Sequence, residues 1–120
     1  MIRMFRFKVF VMLGFALLGL AACFDQKPKG YVIADSKSYE SSLFRQNCSI
    51  CHGSEADGRT LDDGKVVPSL RAGEFKAKTE AEIRHQISDG GNGMTPFRNT
   101  LTDRELDLMA RFVYHDLRGQ

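Results

Sequence analysis

Three segments of this 120-residue chain repeat apolar side chains at helical intervals. They span about residues 37–51, 79–88 and 102–117. No segment alternates apolar and polar residues convincingly enough to indicate a β-strand. The pattern therefore predicts an all-α fold with three main helices.

The second and third helices begin with sequence signatures of a capping box. Thr79 is followed three residues later by Glu82, and Thr102 by Glu105, so each pair can satisfy free backbone amides at a helix start. Gly90 is placed to end the second helix. The apolar stripe of the third helix consists of Leu106, Met109, Ala110, Val113 and Leu117.

The predicted helices are joined by long polar segments and carry few apolar residues. The connection over residues 53–78 is rich in glycine and aspartate and is too long for a simple turn. Small domains of this kind often depend on a metal, a disulfide or a cofactor for stability. We therefore expect a bound apolar group to complete the core.

The N-terminus has the composition of an export signal. Basic residues within positions 1–8 precede an apolar run at 9–22, whose 14 residues fall short of the roughly 20 needed to span a membrane. The run ends in Leu20-Ala21-Ala22-Cys23, which resembles the lipobox of bacterial lipoproteins, where the cysteine is acylated. Ordinary secretory cleavage and an uncleaved anchor remain alternatives.

The charge of the chain gives no support for a nucleic-acid partner. The sequence has 17 basic and 15 acidic residues, and three of the basic ones, Arg3, Arg6 and Lys8, lie in the N-terminal signal. Without residues 1–22 the balance is 14 basic to 15 acidic residues, and no basic stripe remains to contact phosphates.

The pentapeptide Cys48-Ser49-Ile50-Cys51-His52 has the spacing of a covalent haem attachment motif. Two thiols on one helical turn can reach the vinyl groups of a porphyrin, and the adjacent imidazole can bind the iron. A zinc site would need further ligands, for which only His85 and His115 offer nitrogens. A redox thiol pair would call for a βαβ pattern, so haem c is the favoured interpretation.

A second axial ligand must come from elsewhere in the chain. Met94 lies in the glycine-rich segment 90–97, which has no helical face on which a thioether could pack. Met109 belongs to the apolar stripe of the third helix, and His85 and His115 fall on polar parts of their helices. Met94 is therefore the favoured ligand, since Met/His ligation is typical of electron-transfer haem.

Taken together, these motifs resemble a class I monohaem cytochrome c of the small bacterial type, over residues 38–117. Phe44 stands four residues before Cys48, and Pro68-Ser69-Leu70 is similar to the Pro-x-Leu of that family. The resemblance implies helices and long loops wrapped around one covalent haem. It also implies that the Pro68 carbonyl accepts a hydrogen bond from His52, that Met94 binds the iron, and that Phe112 packs where the last helix crosses the first.

These observations predict a signal peptide at 1–22, an acylated Cys23 with a tether at 23–36, and a cytochrome c domain at 37–120. The expected function is one-electron transfer without enzyme activity, on the periplasmic side of a bacterial membrane, with redox proteins, themselves membrane-bound, as donor and acceptor. A haem subunit of a larger oxidoreductase, or a sensing or peroxidase-like protein with a labile methionine, remain alternatives. Four cations could steer an acidic partner or be ordinary surface charges: Arg71, Lys76, Lys78 and Arg98.

Overall fold

The computed structural model describes residues 30–120, and this part of the chain is mostly helical. Its helices are α1 (Tyr39–Asn47), α2 (Ser49–His52), α3 (Glu80–Asp89) and α4 (Asp103–Arg111), and a π-helical segment, Phe112–Leu117, continues α4. The prediction of three main helices is confirmed, with α2 as an additional short turn. No helix within residues 30–120 is long and apolar enough to cross a membrane. The predicted signal peptide and Cys23 lie outside the described residues.

Both predicted capping boxes form. The Thr79 side chain accepts a hydrogen bond from the Glu82 amide, and the Glu82 carboxylate accepts one from the Thr79 amide. Thr102 and Glu105 make the same reciprocal pair at the start of α4. Gly90 then ends α3 with a φ of 71°, a conformation that glycine adopts at little cost.

A two-stranded hairpin corrects the prediction that the chain has no strands. Its strands, β1 (Arg59–Thr60) and β2 (Val66–Val67), are antiparallel, with Arg59 opposite Val67 and Thr60 opposite Val66. Each strand has only two residues, which is too short for an alternating pattern to register in the sequence. The hairpin lies within the long connection at 53–78.

The core lies where α1, α3 and α4 meet. The rings of Phe44 and Phe112 pack with centroids 6.2 Å apart, which confirms that the last helix meets the first at Phe112. Thirteen apolar residues are buried in one cluster: Ile33, Leu43, Phe44, Ala56, Ile83, Ile87, Leu101, Leu106, Met109, Ala110, Phe112, Val113 and Leu117.

Residues 31–36, here called the strap, pack onto this core. The Tyr31 hydroxyl lies 2.6–2.9 Å from the hydroxyls of Ser36, Ser38 and Ser41. Its ring meets the ring of Phe112 edge-on, with centroids 5.1 Å apart. One tyrosine thus joins the strap to the N-terminus of α1 and to the π-helical segment.

The strap is also held through its backbone. The amides of Ile33 and Ala34 donate to the two carboxylate oxygens of Glu55 at 2.9 and 2.8 Å, and Arg45 donates to the Ile33 carbonyl at 2.6 Å. The Ile33 side chain is fully buried. The packed domain therefore includes residues 31–36, which the sequence pattern assigns to the tether.

Candidate functional site

Cys48, Cys51 and His52 lie on one helical turn. The chain kinks at Cys48, whose φ of −114° ends α1 while its amide still donates to the Phe44 carbonyl at 2.8 Å. The His52 amide then donates to the Cys48 carbonyl at 2.9 Å. The sequence predicts both cysteines in the last turn of a single helix, whereas the structure places the break between α1 and α2 at Cys48.

The two thiols sit in different environments, and neither is in a disulfide. Cys48 is half-buried and packs against the core cluster, whereas Cys51 is exposed. Burial, with a smaller contribution from Cys51, raises the pKa of Cys48 to about 12. Reactive redox cysteines have lowered pKa values, so this pair does not fit a thiol-disulfide centre.

His52, the last residue of the motif, is half-buried. Burial lowers its pKa, and an interaction with the Pro68 backbone offsets only part of that effect. Nδ1 is completely buried and makes no hydrogen bond of normal geometry within residues 30–120. An imidazole whose Nδ1–H is matched by an acceptor can bind a metal through its other nitrogen, Nε2.

Gly58 allows the segment with Pro68 to approach the His52 turn. Its amide donates to the His52 carbonyl at 2.9 Å, and its φ is +81°. A Cβ at Gly58 would lie 2.5 Å from the Val67 carbonyl oxygen and 2.8 Å from the Pro68 carbonyl carbon. The two stretches of backbone therefore touch at a distance that only glycine permits.

Met94 is fixed by its backbone in the turn between α3 and α4. Gly91 and Met94 exchange amide-to-carbonyl hydrogen bonds of 3.0 and 2.9 Å, and a Cβ at Gly90 would lie 2.5 Å from the Met94 carbonyl oxygen. The half-buried side chain packs against the core cluster. Its sulfur has one weak polar neighbour, Nε2 of Gln86 at 4.0 Å, so the thioether is available as a ligand.

The other predicted candidates have structural roles. Met109 is buried in the core, with 1% of its surface exposed. His85 pairs with Asp89 at 3.0 Å and His115 with Glu80 at 3.5 Å, both on the surface. In the part of the chain that the structure describes, no three His, Cys, Asp or Glu residues are grouped to hold a metal ion, so a zinc site has no support.

Two of the four proposed steering cations are engaged within the domain. The Arg71 side chain is only 17% exposed and pairs with the Glu55 carboxylate at 3.2 Å. Arg98 pairs with Asp89 at 3.0 Å. Lys76 and Lys78 are exposed. These pairs favour the interpretation of Arg71 and Arg98 as structural charges.

The comparison with protein families fits this geometry. A model of the family described as "Cytochrome C oxidase, cbb3-type, subunit III" matches residues 41–113, which include the haem motif and the turn that carries Met94. The chain belongs to this family of cytochromes c. Its helical architecture is a cytochrome c fold.

Cytochromes c6 are similar to this cytochrome domain. The relative from Gracilaria tenuistipitata var. liui is 30% identical over 71 residues, which cover 59% of this chain and 64% of the relative. Those from Parathermosynechococcus lividus and Synechococcus elongatus are 27% identical over 73 residues, covering 61% of this chain and 82% of each relative. The chain thus spans just under two thirds of the first relative's length. No solved structure matches significantly.

The family implies covalently bound haem c with iron, and the residues present fit that cofactor. Two unpaired thiols and one imidazole occupy a single turn, and the buried Nδ1 of that imidazole has no hydrogen-bond partner within residues 30–120. Cys48 and Cys51 would attach the porphyrin covalently, and His52 would bind the iron.

Sequence reasoning missed two residues near these donors. Gly58 follows Asp57 in a dipeptide typical of turns, so a turn could have been predicted there, though not the contact with the Pro68 segment. Lys65 donates from Nζ to the carbonyl of Gly93 at 2.9 Å, beside Met94. No sequence pattern indicates a contact between residues so far apart.

Proposed function

We propose that this protein is a one-electron carrier with a single haem c, bound covalently by Cys48 and Cys51 and ligated by His52 and Met94. The observation that carries the proposal is the half-buried imidazole of His52, whose Nδ1 is shielded from solvent, on the same turn as two unpaired thiols. When bound, haem c supplies a ferric/ferrous couple. The chain's own residues hold it, set its axial ligands and limit its contact with water.

Pro68 is proposed as the acceptor that orients His52. The support is that the Pro68 backbone raises the pKa of His52, and that the buried Nδ1 has no other hydrogen-bond partner within residues 30–120. A carbonyl acceptor at Nδ1 fixes the ring and makes the other nitrogen a stronger donor to iron. Gly58 serves this contact because it keeps the Pro68 segment close to the His52 turn.

Met94 is proposed as the second axial ligand because its backbone is held in place and its sulfur has only a weak polar contact, with Nε2 of Gln86 at 4.0 Å. The turn holds its backbone through the paired hydrogen bonds with Gly91. A thioether favours ferrous iron and raises the reduction potential. Filled axial positions on both sides suit electron transfer, since no ligand has to enter or leave, and disfavour the sensing and peroxidase-like alternatives.

Replacing Met94 with alanine is expected to remove the methionine-to-iron charge-transfer band of the ferric protein completely and to lower its reduction potential. The physical reason is the loss of the soft sulfur ligand. Optical spectra and a redox titration of the haem-loaded protein measure both effects. Met109→Leu is the matched control, because Met109 lies in the core and leucine nearly conserves its volume.

An unchanged spectrum in Met94→Ala would sink the assignment of Met94. Fast, stoichiometric binding of carbon monoxide to the reduced wild-type protein at neutral pH would also count against a closed carrier site. That result would favour the sensing or peroxidase-like alternative, since it requires an open or labile sixth position.

The proposed location is the periplasmic side of a bacterial membrane, with a lipid anchor on Cys23. Cytochromes of this type typically act outside the cytoplasm with redox partners. The support for the anchor is the sequence Leu20-Ala21-Ala22-Cys23, which resembles a lipobox. Because residues 31–36 pack on the domain, the proposed tether is confined to residues 23–30.

Growth with a labelled fatty acid is expected to label the wild-type protein and to leave Cys23→Ser unlabelled. Acylation requires a thiol at that position. Cys51→Ser is the matched control, since it removes a different cysteine and should keep the label while losing one covalent link to haem. Label remaining on Cys23→Ser would exclude Cys23 as the acylated residue.

A second candidate is a fixed haem subunit of a larger oxidoreductase. The observation that favours it is the family match, whose description names an oxidase subunit. Both candidate functions use the same haem site, and they differ only in whether the protein acts alone or as part of a larger complex. Native electrophoresis of a mild detergent extract, stained for haem, distinguishes them: a carrier migrates alone, whereas a subunit migrates with other redox proteins.

A further inference from the structure

The β1–β2 hairpin contacts both of the segments proposed to supply axial ligands. At its base, Gly58 precedes β1 and Pro68 follows β2, and both lie beside the His52 turn. At its tip, Lys65 donates from Nζ to the carbonyl oxygen of Gly93 at 2.9 Å. Gly93 directly precedes Met94, so one short element spans from the His52 side to the Met94 side.

The position of Lys65 is fixed by its own turn. The Leu61 amide donates to the Lys65 carbonyl at 2.8 Å, and the Lys65 amide donates to Oδ1 of Asp63 at 2.9 Å. The ammonium also lies where a Cβ of residue 93 would be, and Gly93, with a φ of +82°, leaves that space open. The turn therefore holds the backbone of the donor, Lys65, and the missing side chain of Gly93 leaves room for the ammonium beside the acceptor carbonyl.

We propose that Lys65 is a positioning residue for Met94, through its hydrogen bond to the Gly93 carbonyl. This inference rests on the proposed function, in which Met94 binds the iron. The Gly93 carbonyl belongs to the peptide that joins Gly93 to Met94, so a donor on that oxygen fixes the orientation of the Met94 backbone. Without Lys65, the Gly91–Met94 hydrogen bonds and the close approach of Gly90 hold this turn.

Imidazole binding to the ferric haem-loaded protein tests the proposal, because imidazole binds only where the methionine has dissociated. In Lys65→Met we expect imidazole affinity to rise about fivefold, the effect of losing one exposed charge-assisted hydrogen bond. Lys65→Arg keeps a donor and should restore affinity toward the wild-type value. Lys37→Met is the matched control, since Lys37 is exposed and makes no side-chain hydrogen bond within residues 30–120.

An imidazole affinity of Lys65→Met equal to that of wild type and Lys37→Met would overturn the proposal. A lower free energy of unfolding in Lys65→Met with unchanged imidazole affinity would also overturn it, since the residue would then be merely structural. The spectrum of Met94→Ala tests separately whether Met94 binds the iron. If that spectrum is unchanged, the proposed function fails; if it changes while Lys65→Met does not differ from its control, only the role of Lys65 fails.

Discussion

Gly58→Ala is expected to lower the free energy of unfolding by about 2–5 kcal/mol, the sum of backbone strain and overpacking. At a φ of +81°, a Cβ crowds its own carbonyl, which alone costs about 1–2 kcal/mol. The same Cβ would lie 2.5–2.8 Å from backbone atoms of Val67, Pro68 and Ser69. These neighbours are backbone atoms, which cannot avoid the clash by changing rotamer, so β2 and Pro68 must move to make room for the methyl group. Chemical denaturation of the haem-loaded protein measures the loss.

Gly64→Ala is a closely matched control for this variant. Gly64 has the same φ of +81° and lies in the same hairpin, but nothing lies within 4 Å of its Cβ position. Only the strain applies there, about 1–2 kcal/mol. The difference between the two variants isolates the close approach of Gly58 to the Pro68 segment. Equal losses in Gly58→Ala and Gly64→Ala would contradict the packing that we describe.

The same pair of variants tests the role of Pro68. If Gly58→Ala displaces the Pro68 carbonyl from His52, the imidazole becomes a weaker donor to iron, and ferric iron loses more stabilisation than ferrous iron. We therefore expect a higher reduction potential in Gly58→Ala than in Gly64→Ala. A lower potential in Gly58→Ala would contradict the proposed orientation of His52 by Pro68.

The parts of the fold that the sequence predicts are those fixed by local interactions. Thr79 and Thr102 mark the starts of α3 and α4 because a capping box needs only residues three apart. The turn with Cys48, Cys51 and His52 is predictable for the same reason, since its geometry follows from one helical turn. Within residues 30–120, these elements carry most of the candidate site.

The parts that sequence reasoning missed depend on contacts between distant residues. The strap lies within the predicted tether, yet Tyr31 contacts three serine hydroxyls at once and Ile33 is fully buried. Neither fact has a periodic signature. Likewise, Lys65 is an ordinary surface lysine until folding brings Gly93 within reach. The π-helical segment, Phe112–Leu117, continues the predicted helix with a different hydrogen-bond spacing that the apolar stripe does not reveal.

Phe112→Ala is expected to lower the free energy of unfolding by about 3–5 kcal/mol, the usual cost of truncating a buried phenylalanine. Phe112 is 1% exposed and touches two rings, those of Phe44 in α1 and Tyr31 in the strap. Its removal leaves a cavity between α1, the strap and the π-helical segment. Phe112→Leu retains most of the volume and should cost much less, which keeps the test informative if the alanine variant does not fold.

Hydrogen exchange in the strap provides a second, local test of the role of Phe112. Because Tyr31 stacks edge-on against Phe112, the strap in Phe112→Leu loses one aromatic contact while its backbone hydrogen bonds to Glu55 remain. Hydrogen exchange at the amides of Ile33 and Ala34 should therefore accelerate more than exchange at the buried amides of α3. Uniform acceleration along the chain would mean that Phe112 stabilises the domain as a whole and does not hold the strap in particular.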